Sequence, residues 1–206
     1  MELDEQIQKA IEEHYEKYPP DPRLGTVPDA KRLNIGCGRH PLHYWCNIDN
    51  DPSAACDMLR SVPPIPYPDD SMDEIYAGHF LEHLTPEETY WFLLECHRVL
   101  KPGGLMGVVV PDFREIVKRY LDPSSHARME YPYGIWHDCH DLNEVCSLFL
   151  YSTVQESGHK WMYDMTNLRQ KLETAGFKVT GEINRWMDRR ISVGAWYQFG
   201  LDAVKV

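Results

Sequence analysis

The sequence predicts an α/β protein of three layers, built around a mostly parallel β-sheet. Two observations predict this class. Strand-like and helix-like segments alternate through the chain, and the run GLMGVVV at residues 104–110 is apolar throughout. Alternation of this kind is typical of parallel sheets flanked by helices, and an unbroken apolar run is typical of a strand that is buried on both faces.

Seven short segments have the pattern of strands. They lie at residues 31–36, 44–50, 55–59, 72–78, 104–110, 177–183 and 196–206. A proline-rich turn, SVPPIPYPDDS, separates the third segment from the fourth. We find no internal repeat, so the chain is expected to form a single domain over residues 1–206.

The clearest helix signal is a capping box. Thr85 can cap the helix, Pro86 suits its first position and Glu88 lies three residues after the cap, while the apolar stripe that follows ends at the turn KPGG. Asp164 is expected to cap a second helix that Gly176 ends. Further helices are predicted at residues 2–18, 113–121 and 142–154.

Composition and charge limit the partners and the location of the protein. The chain has 21 basic and 32 acidic side chains and a formal net charge of −11, which repels a phosphate backbone and disfavours a nucleic-acid substrate. No apolar run is long enough to span a membrane. The charged N-terminal segment has no secretion signal, and we therefore expect a cytoplasmic protein.

The stretch RLNIGCGRHP, residues 32–41, places two glycines directly after the first strand. In a doubly wound sheet, ligands bind outside the carboxyl ends of the strands, where glycines allow the backbone to approach them. Asp49 ends the next strand and could accept the two hydroxyls of a ribose, and Asp57 with Met58 ends the third. A dinucleotide is the rival ligand, but Pro41 stands where a third glycine would be needed.

Taken in order, the motifs LNIGCG, NIDND, CDML, IPYPDDSMDEIYAGHFLEHL and RVLKPGGLMGVVVPD resemble the class I S-adenosylmethionine-dependent methyltransferases, most closely the small type-11-like group. The resemblance covers residues 31–112 and, more loosely, 159–183. It implies a Rossmann-like sandwich with a seven-stranded sheet whose last strand is antiparallel. It also implies S-adenosylmethionine as the cofactor and S-adenosylhomocysteine as the product.

The resemblance also implies roles for individual residues. The glycine turn would wrap the methionine part of the cofactor, Asp49 would hold the ribose, Asp57 and Met58 would border the adenine, and His79 and Phe80 would flank the sulfonium. The implied cofactor-binding residues are therefore Asn34, Gly36, Cys37, Gly38, Asp49, Asp57, Met58, His79 and Phe80.

The chain departs from the family pattern at two points. Asn34 stands where many members have an acidic residue, so the ammonium group of the cofactor lacks one partner. Only about ten residues separate Gly36 from the second strand, which hardly accommodates a full crossover helix.

The candidate catalytic residues are histidines and one tyrosine. His79 or His83 could act as a general base, or they could form with Glu82 a polar cluster that locks the turn after the fourth strand. We favour the polar cluster for Glu82 and His83, and for His79 we favour proximity to the cofactor through its backbone.

The segment at residues 122–163 is dense in aromatic and histidine side chains, and we expect it to form a variable lid that recognises substrate. His137, His140 and Tyr163 are predicted to face the methyl end of the cofactor, with reduced turnover when they are replaced. The motif His137-x-x-His140 could bind a metal, but it lacks helical spacing and we predict no metal site. Packing against the sheet is the other interpretation of the aromatic residues.

These observations predict an enzyme that transfers a methyl group from S-adenosylmethionine to an oxygen or nitrogen atom of a small molecule, sugar or peptide. The expected partner is a small-molecule or sugar acceptor, and we expect no association with a membrane. The alternative is a regulatory protein that binds S-adenosylmethionine or a nucleoside without catalysis. The helix within residues 1–22 could close over the cofactor or form the contact of a homodimer.

Overall fold

A computed structural model describes residues 29–121, 158–183 and 197–206. The strands are β1 (Arg32–Ile35), β2 (Cys46–Asp49), β3 (Met58–Leu59), β4 (Met72–Gly78), β5 (Leu100–Pro111), β6 (Phe177–Glu182) and β7 (Gln198–Lys205). The helices are α1 (Pro86–Val99), α2 (Phe113–Leu121) and α3 (Met165–Thr174), with a 3-10 helix at Leu81–His83. The helices predicted at residues 2–18 and 142–154 lie outside the described residues.

The seven strands form one sheet in the order β3-β2-β1-β4-β5-β7-β6. Strands β1 to β5 pair in parallel, and β7 is antiparallel to both of its neighbours. The predicted fold class, Rossmann-like with a sheet that is parallel except for its last strand, is therefore confirmed. The order reverses between β1 and β4, and the carboxyl ends of both strands meet at that point.

The core lies on the central strands and on the helix faces that cover them. Leu33 and Ile35 of β1, Ile75 of β4 and Val108 of β5 are fully buried, and so is Leu168 of α3. Val108 lies in the apolar run GLMGVVV, from which a strand buried on both faces was predicted. Within the described residues, no helix is long and apolar enough to cross a membrane.

Local signals in the sequence set the helix boundaries. The Thr85 hydroxyl accepts a hydrogen bond from the Glu88 backbone N–H, and the Glu88 carboxylate accepts one from the Thr85 N–H, so the predicted capping box is present. Asp164 caps α3 by accepting a hydrogen bond from the Asn167 N–H at 2.7 Å. As predicted, the connection from Gly36 to β2 contains turns and no helix.

Candidate functional site

The turn after β1 exposes its backbone to open space. Gly36 and Gly38 have φ angles of +67° and +52°, in the left-handed region that favours glycine. Among the described residues, a Cβ added to Gly38 would meet no atom within 4 Å, whereas one added to Gly36 would lie 2.6 Å from Cδ2 of Phe80. The turn therefore packs against Phe80 at its first glycine and is accessible to a ligand at its second.

Asp49, at the end of β2, is tied to this turn. Its Oδ2 accepts a hydrogen bond from the Gly38 N–H at 2.7 Å, and its Oδ1 accepts one from the Asp51 N–H at 2.8 Å. A carboxylate offers about four lone pairs, so about two remain for other donors. The half-buried Asp49 can thus hold the turn and still accept hydrogen bonds from ligand hydroxyls.

Asn47 of β2 connects the glycine turn to β1 and to the start of β3. Its Oδ1 accepts hydrogen bonds from the Leu42 N–H at 2.7 Å and from Asn34 Nδ2 at 2.9 Å, and its own Nδ2 donates to Asp57 Oδ2 at 2.8 Å. This contact explains the unusual Asn34, because a carboxylate there would place an oxygen against the Asn47 oxygen. Asn47 was not predicted as a site residue, because its sequence position indicates only a strand.

Three predicted cofactor residues have buried side chains. Asn34 and Cys37 are fully buried, and Met58 packs in the core with 9% of its surface exposed. The Asn34 Oδ1 atom is buried and accepts no hydrogen bond from the residues that the structure describes. Any ligand contact of Cys37 or Met58 would therefore have to come from the backbone.

His79 follows β4 in a strained conformation, with a φ angle of +52° that is uncommon for residues other than glycine. Its Nδ1 lies 3.1 Å from Glu82 Oε1 and its Nε2 lies 2.7 Å from Gln198 Oε1, while its backbone N–H donates to the Val109 carbonyl. Both ring nitrogens are thus engaged, which favours a positioning role over general-base chemistry. Gln198 was not anticipated, because no local signal links β7 to His79.

Glu82, His83 and His159 form a second polar group beside His79. Burial by itself would raise the pKa of Glu82, but the hydrogen bond with His79 and the neighbouring imidazoles of His83 and His159 hold that pKa below its ordinary value. Burial lowers the pKa of His159 to about 4, against the opposing effect of Glu82. This grouping agrees with the polar cluster favoured above for Glu82 and His83.

The placement of Tyr163 corrects its predicted role. Only 1% of Tyr163 is exposed, its hydroxyl lies 3.0 Å from Thr89 Oγ1, and the hydroxyl donates to the Leu81 carbonyl at 3.3 Å. Burial raises the pKa of the phenol, so it stays protonated. A parallel bridge with Asp112 fixes the backbone of Tyr163 beside the end of β5, and its side chain packs in the hydrophobic core and not in a pocket.

We expect Tyr163→Phe to lower the free energy of unfolding by about 1–2 kcal/mol, because it removes buried hydrogen bonds and leaves their partners unsatisfied. Urea denaturation measures this change. The matched control is Tyr90→Phe on the exposed side of α1, which should be nearly neutral. A Tyr163→Phe protein of unchanged stability and reduced turnover would restore the catalytic interpretation.

Two predicted residues lie outside the described part of the chain. His137 and His140 belong to the segment at 122–157, so their predicted approach to the methyl end remains a prediction. Of the proposed lid, the structure describes only residues 158–163.

The fold is of the α/β class, and the residues described above lie at the carboxyl ends of its strands, beside the switch point where sheets of this kind bind ligands. Residues 33–108 match the family model of the type-11 methyltransferase domain. Over this range, the chain is similar to the methyltransferase domain of the type-11 group.

Individual relatives agree with this family. The chain is 32% identical over 91 residues to malonyl-[acyl-carrier protein] O-methyltransferase 1 of Coxiella burnetii, covering 43% of this chain and 29% of that protein. Its structure is similar to that of an S-adenosylmethionine-dependent methyltransferase from Mesorhizobium loti, with a TM-score of 0.52, 14% identity and coverage of 99% and 100% of the two chains.

A third similarity is to a chain of the complex that contains the Haloferax volcanii Trm112 methyltransferase activator. The TM-score is 0.54 at 14% identity, over 98% of this chain and 94% of that chain. At such identities, the structural similarities support the fold alone.

Proposed function

We propose that this protein transfers a methyl group from S-adenosylmethionine to an oxygen or nitrogen atom of a small molecule, a sugar or a peptide, and releases S-adenosylhomocysteine. The observation that carries the proposal is the contact between Asp49 and the Gly38 N–H, with open space beside Gly38. It joins a hydroxyl-binding carboxylate to a backbone turn that a ligand can approach closely.

The residues present fit this cofactor on three counts. In the described part of the chain, no atom lies within 4 Å of the position that a Cβ of Gly38 would take. Asp49 has lone pairs left for ribose hydroxyls, and Asp57 is fixed by two hydrogen bonds from Asn47 to its Oδ2. The buried Asn34 Oδ1, near the end of β1, accepts no hydrogen bond from the described residues, and a donor on a ligand could satisfy it.

S-adenosylmethionine supplies an electrophilic methyl group on a sulfonium, and its transfer is an in-line displacement. The residues of this chain would mainly bind, orient and exclude water. Asp49 and Asp57 would fix the nucleoside, and the glycine turn would accommodate the methionine part. Phe80 would cover the site as an apolar wall, since it is held against Phe92 of α1 with ring centroids 5.0 Å apart.

Fewer observations support a particular class of methyl acceptor than support the cofactor. The Coxiella burnetii relative is an O-methyltransferase by its name, and the match to it lies in less than half of this chain. The segment at residues 122–157, expected to choose the acceptor, lies outside the described residues. We therefore extend the proposal to both oxygen and nitrogen acceptors.

Thermal denaturation with each ligand tests the cofactor part. At a concentration about a hundredfold above Kd, S-adenosylmethionine and S-adenosylhomocysteine should each raise Tm by about 5–10 °C. Transfer of a radiolabelled methyl group to pooled metabolites tests the reaction. No rise in Tm would contradict cofactor binding, and binding without transfer to any acceptor would favour the non-catalytic regulatory protein.

A further inference from the structure

A compact group of potential metal ligands lies beside the proposed cofactor site, in a place to which the methyl-transfer reaction assigns no role. Glu82 and His83 belong to the 3-10 helix after β4, and His159 lies on the segment that leads to α3. One ligand atom from each residue lies within 4.8 Å of the other two. The two imidazole rings have centroids 5.0 Å apart and an interplanar angle of 74°.

The Glu82 carboxylate is the first observation that points to a ligand. Its side chain is 1% exposed, and its Oε1 lies 3.1 Å from His79 Nδ1. Its Oε2 is buried and has no hydrogen-bond partner among the residues that the structure describes. A buried carboxylate oxygen without a partner costs free energy, and a bound cation would remove that cost.

Backbone hydrogen bonds hold the two parts of the group together. The Glu82 carbonyl accepts hydrogen bonds from the Lys160 N–H at 2.7 Å and the Trp161 N–H at 3.2 Å. His83 Nδ1 lies 3.4 Å from the Gly158 carbonyl, a long contact that still orients the ring. Metal-binding histidines usually direct their second nitrogen at such a carbonyl, which leaves Nε2 for the metal.

We propose that Glu82, His83 and His159 bind a divalent transition metal of the zinc type. Two imidazole nitrogens and one carboxylate oxygen are a common ligand set for Zn²⁺ with one open position, whereas Mg²⁺ and Ca²⁺ prefer oxygen ligands. Zinc bonds of about 2.0–2.2 Å place the donors about 3.4 Å apart, so side-chain movements of about 1 Å close the group around the ion.

The proposed metal site is not the one that the sequence motif suggested. The motif at His137 and His140 was considered for a metal, and no metal site was predicted from it. His83 and His159 are far apart in the sequence, so no spacing rule joins them. They come together only because the segment at 158–161 pairs with the turn after β4.

Titration with metal in the absence of S-adenosylmethionine tests the proposal independently of the proposed function. Chelator-treated protein should bind one equivalent of Zn²⁺ by calorimetry, and Co²⁺ should give the visible absorption of a four- or five-coordinate ion. His83→Ala and His159→Ala should each weaken Zn²⁺ binding by about tenfold to a hundredfold. Saturating Zn²⁺ should raise the Tm of the wild type and not that of the variants.

Two controls make the result specific. His43→Ala removes an exposed histidine outside the group and should bind Zn²⁺ as the wild type does. The double variant His137→Ala, His140→Ala should also retain binding. If His159→Ala fails to fold, Glu82→Gln offers an isosteric loss of charge, with circular dichroism as the check of folding. Absence of binding in the wild type, or equal binding in His83→Ala and the wild type, would overturn the proposal.

Discussion

Asp49→Ala is expected to weaken the binding of S-adenosylmethionine and S-adenosylhomocysteine by about tenfold to a hundredfold, equivalent to about 1.4–2.7 kcal/mol. The variant would remove the charge-assisted hydrogen bonds that we propose Asp49 makes to the ribose hydroxyls, and it also removes the acceptor that holds the Gly38 N–H at 2.7 Å. Calorimetric titration with S-adenosylhomocysteine measures the loss without turnover.

Asp51→Ala is the matched control for charge. Asp51 is an exposed neighbour in the same loop, and its carboxylate hydrogen-bonds only to Ser53 in the described structure. Both variants change the net charge by one unit, so a purely electrostatic effect would weaken binding equally in both. An unchanged affinity of Asp49→Ala would remove Asp49 from the proposed site.

Gly38→Val should lower cofactor affinity by about a hundredfold or more, because a branched side chain would fill the open space beside the turn. The same variant also forces a β-branched residue into the left-handed region at a φ angle of +52°, which costs about 1–2 kcal/mol of stability. Calorimetry and urea denaturation on the same protein separate the two effects.

Gly103→Val is the matched control for backbone strain. Gly103 has a φ angle of +76°, and a Cβ added there also meets nothing within 4 Å. It lies near the amino end of β5, whereas the glycine turn follows the carboxyl end of β1, so the two glycines lie at opposite ends of the parallel strands. It should lose similar stability and keep its affinity, whereas equal losses of affinity in both variants would show that strain alone is responsible.

The fold was predictable because its determinants are local. The capping box at Thr85 and the cap at Asp164 fix helix starts within a few residues, and the apolar run before Pro111 identifies a buried strand. β3 was predicted over 55–59 and covers only Met58–Leu59. Before Met58, the Ala55 N–H donates to the Gly38 carbonyl, and the Asp57 side chain accepts a hydrogen bond from the Asn47 N–H.

The candidate site was predictable only in part. Gly36, Gly38 and Asp49 follow strands directly, and the carboxyl ends of parallel strands bring such residues together. The partners of His79 and Tyr163 come from distant parts of the chain, such as Gln198 and Thr89, so neither position could be deduced from spacing. The many aromatic residues around Tyr163 are as typical of a core as of a pocket. The structure shows that Tyr163 packs in the core.

The strand β3, which has two residues, forms one border of the proposed site, and we expect this border to open locally. β3 is one of the two edge strands of the sheet, and it is held to β2 by hydrogen bonds from the Asp57 N–H to the Asn47 carbonyl and from the Arg60 N–H to the Asp49 carbonyl. Short edge elements with few buried contacts open at low free energy, ahead of the global transition. A nucleoside held by Asp49 and Asp57 would bind only when β3 is paired with β2. Its apparent affinity would therefore be proportional to the fraction of molecules in that paired state. Fraying of this edge would then give the product of the proposed reaction a route of release that leaves the core strands β1, β4 and β5 intact.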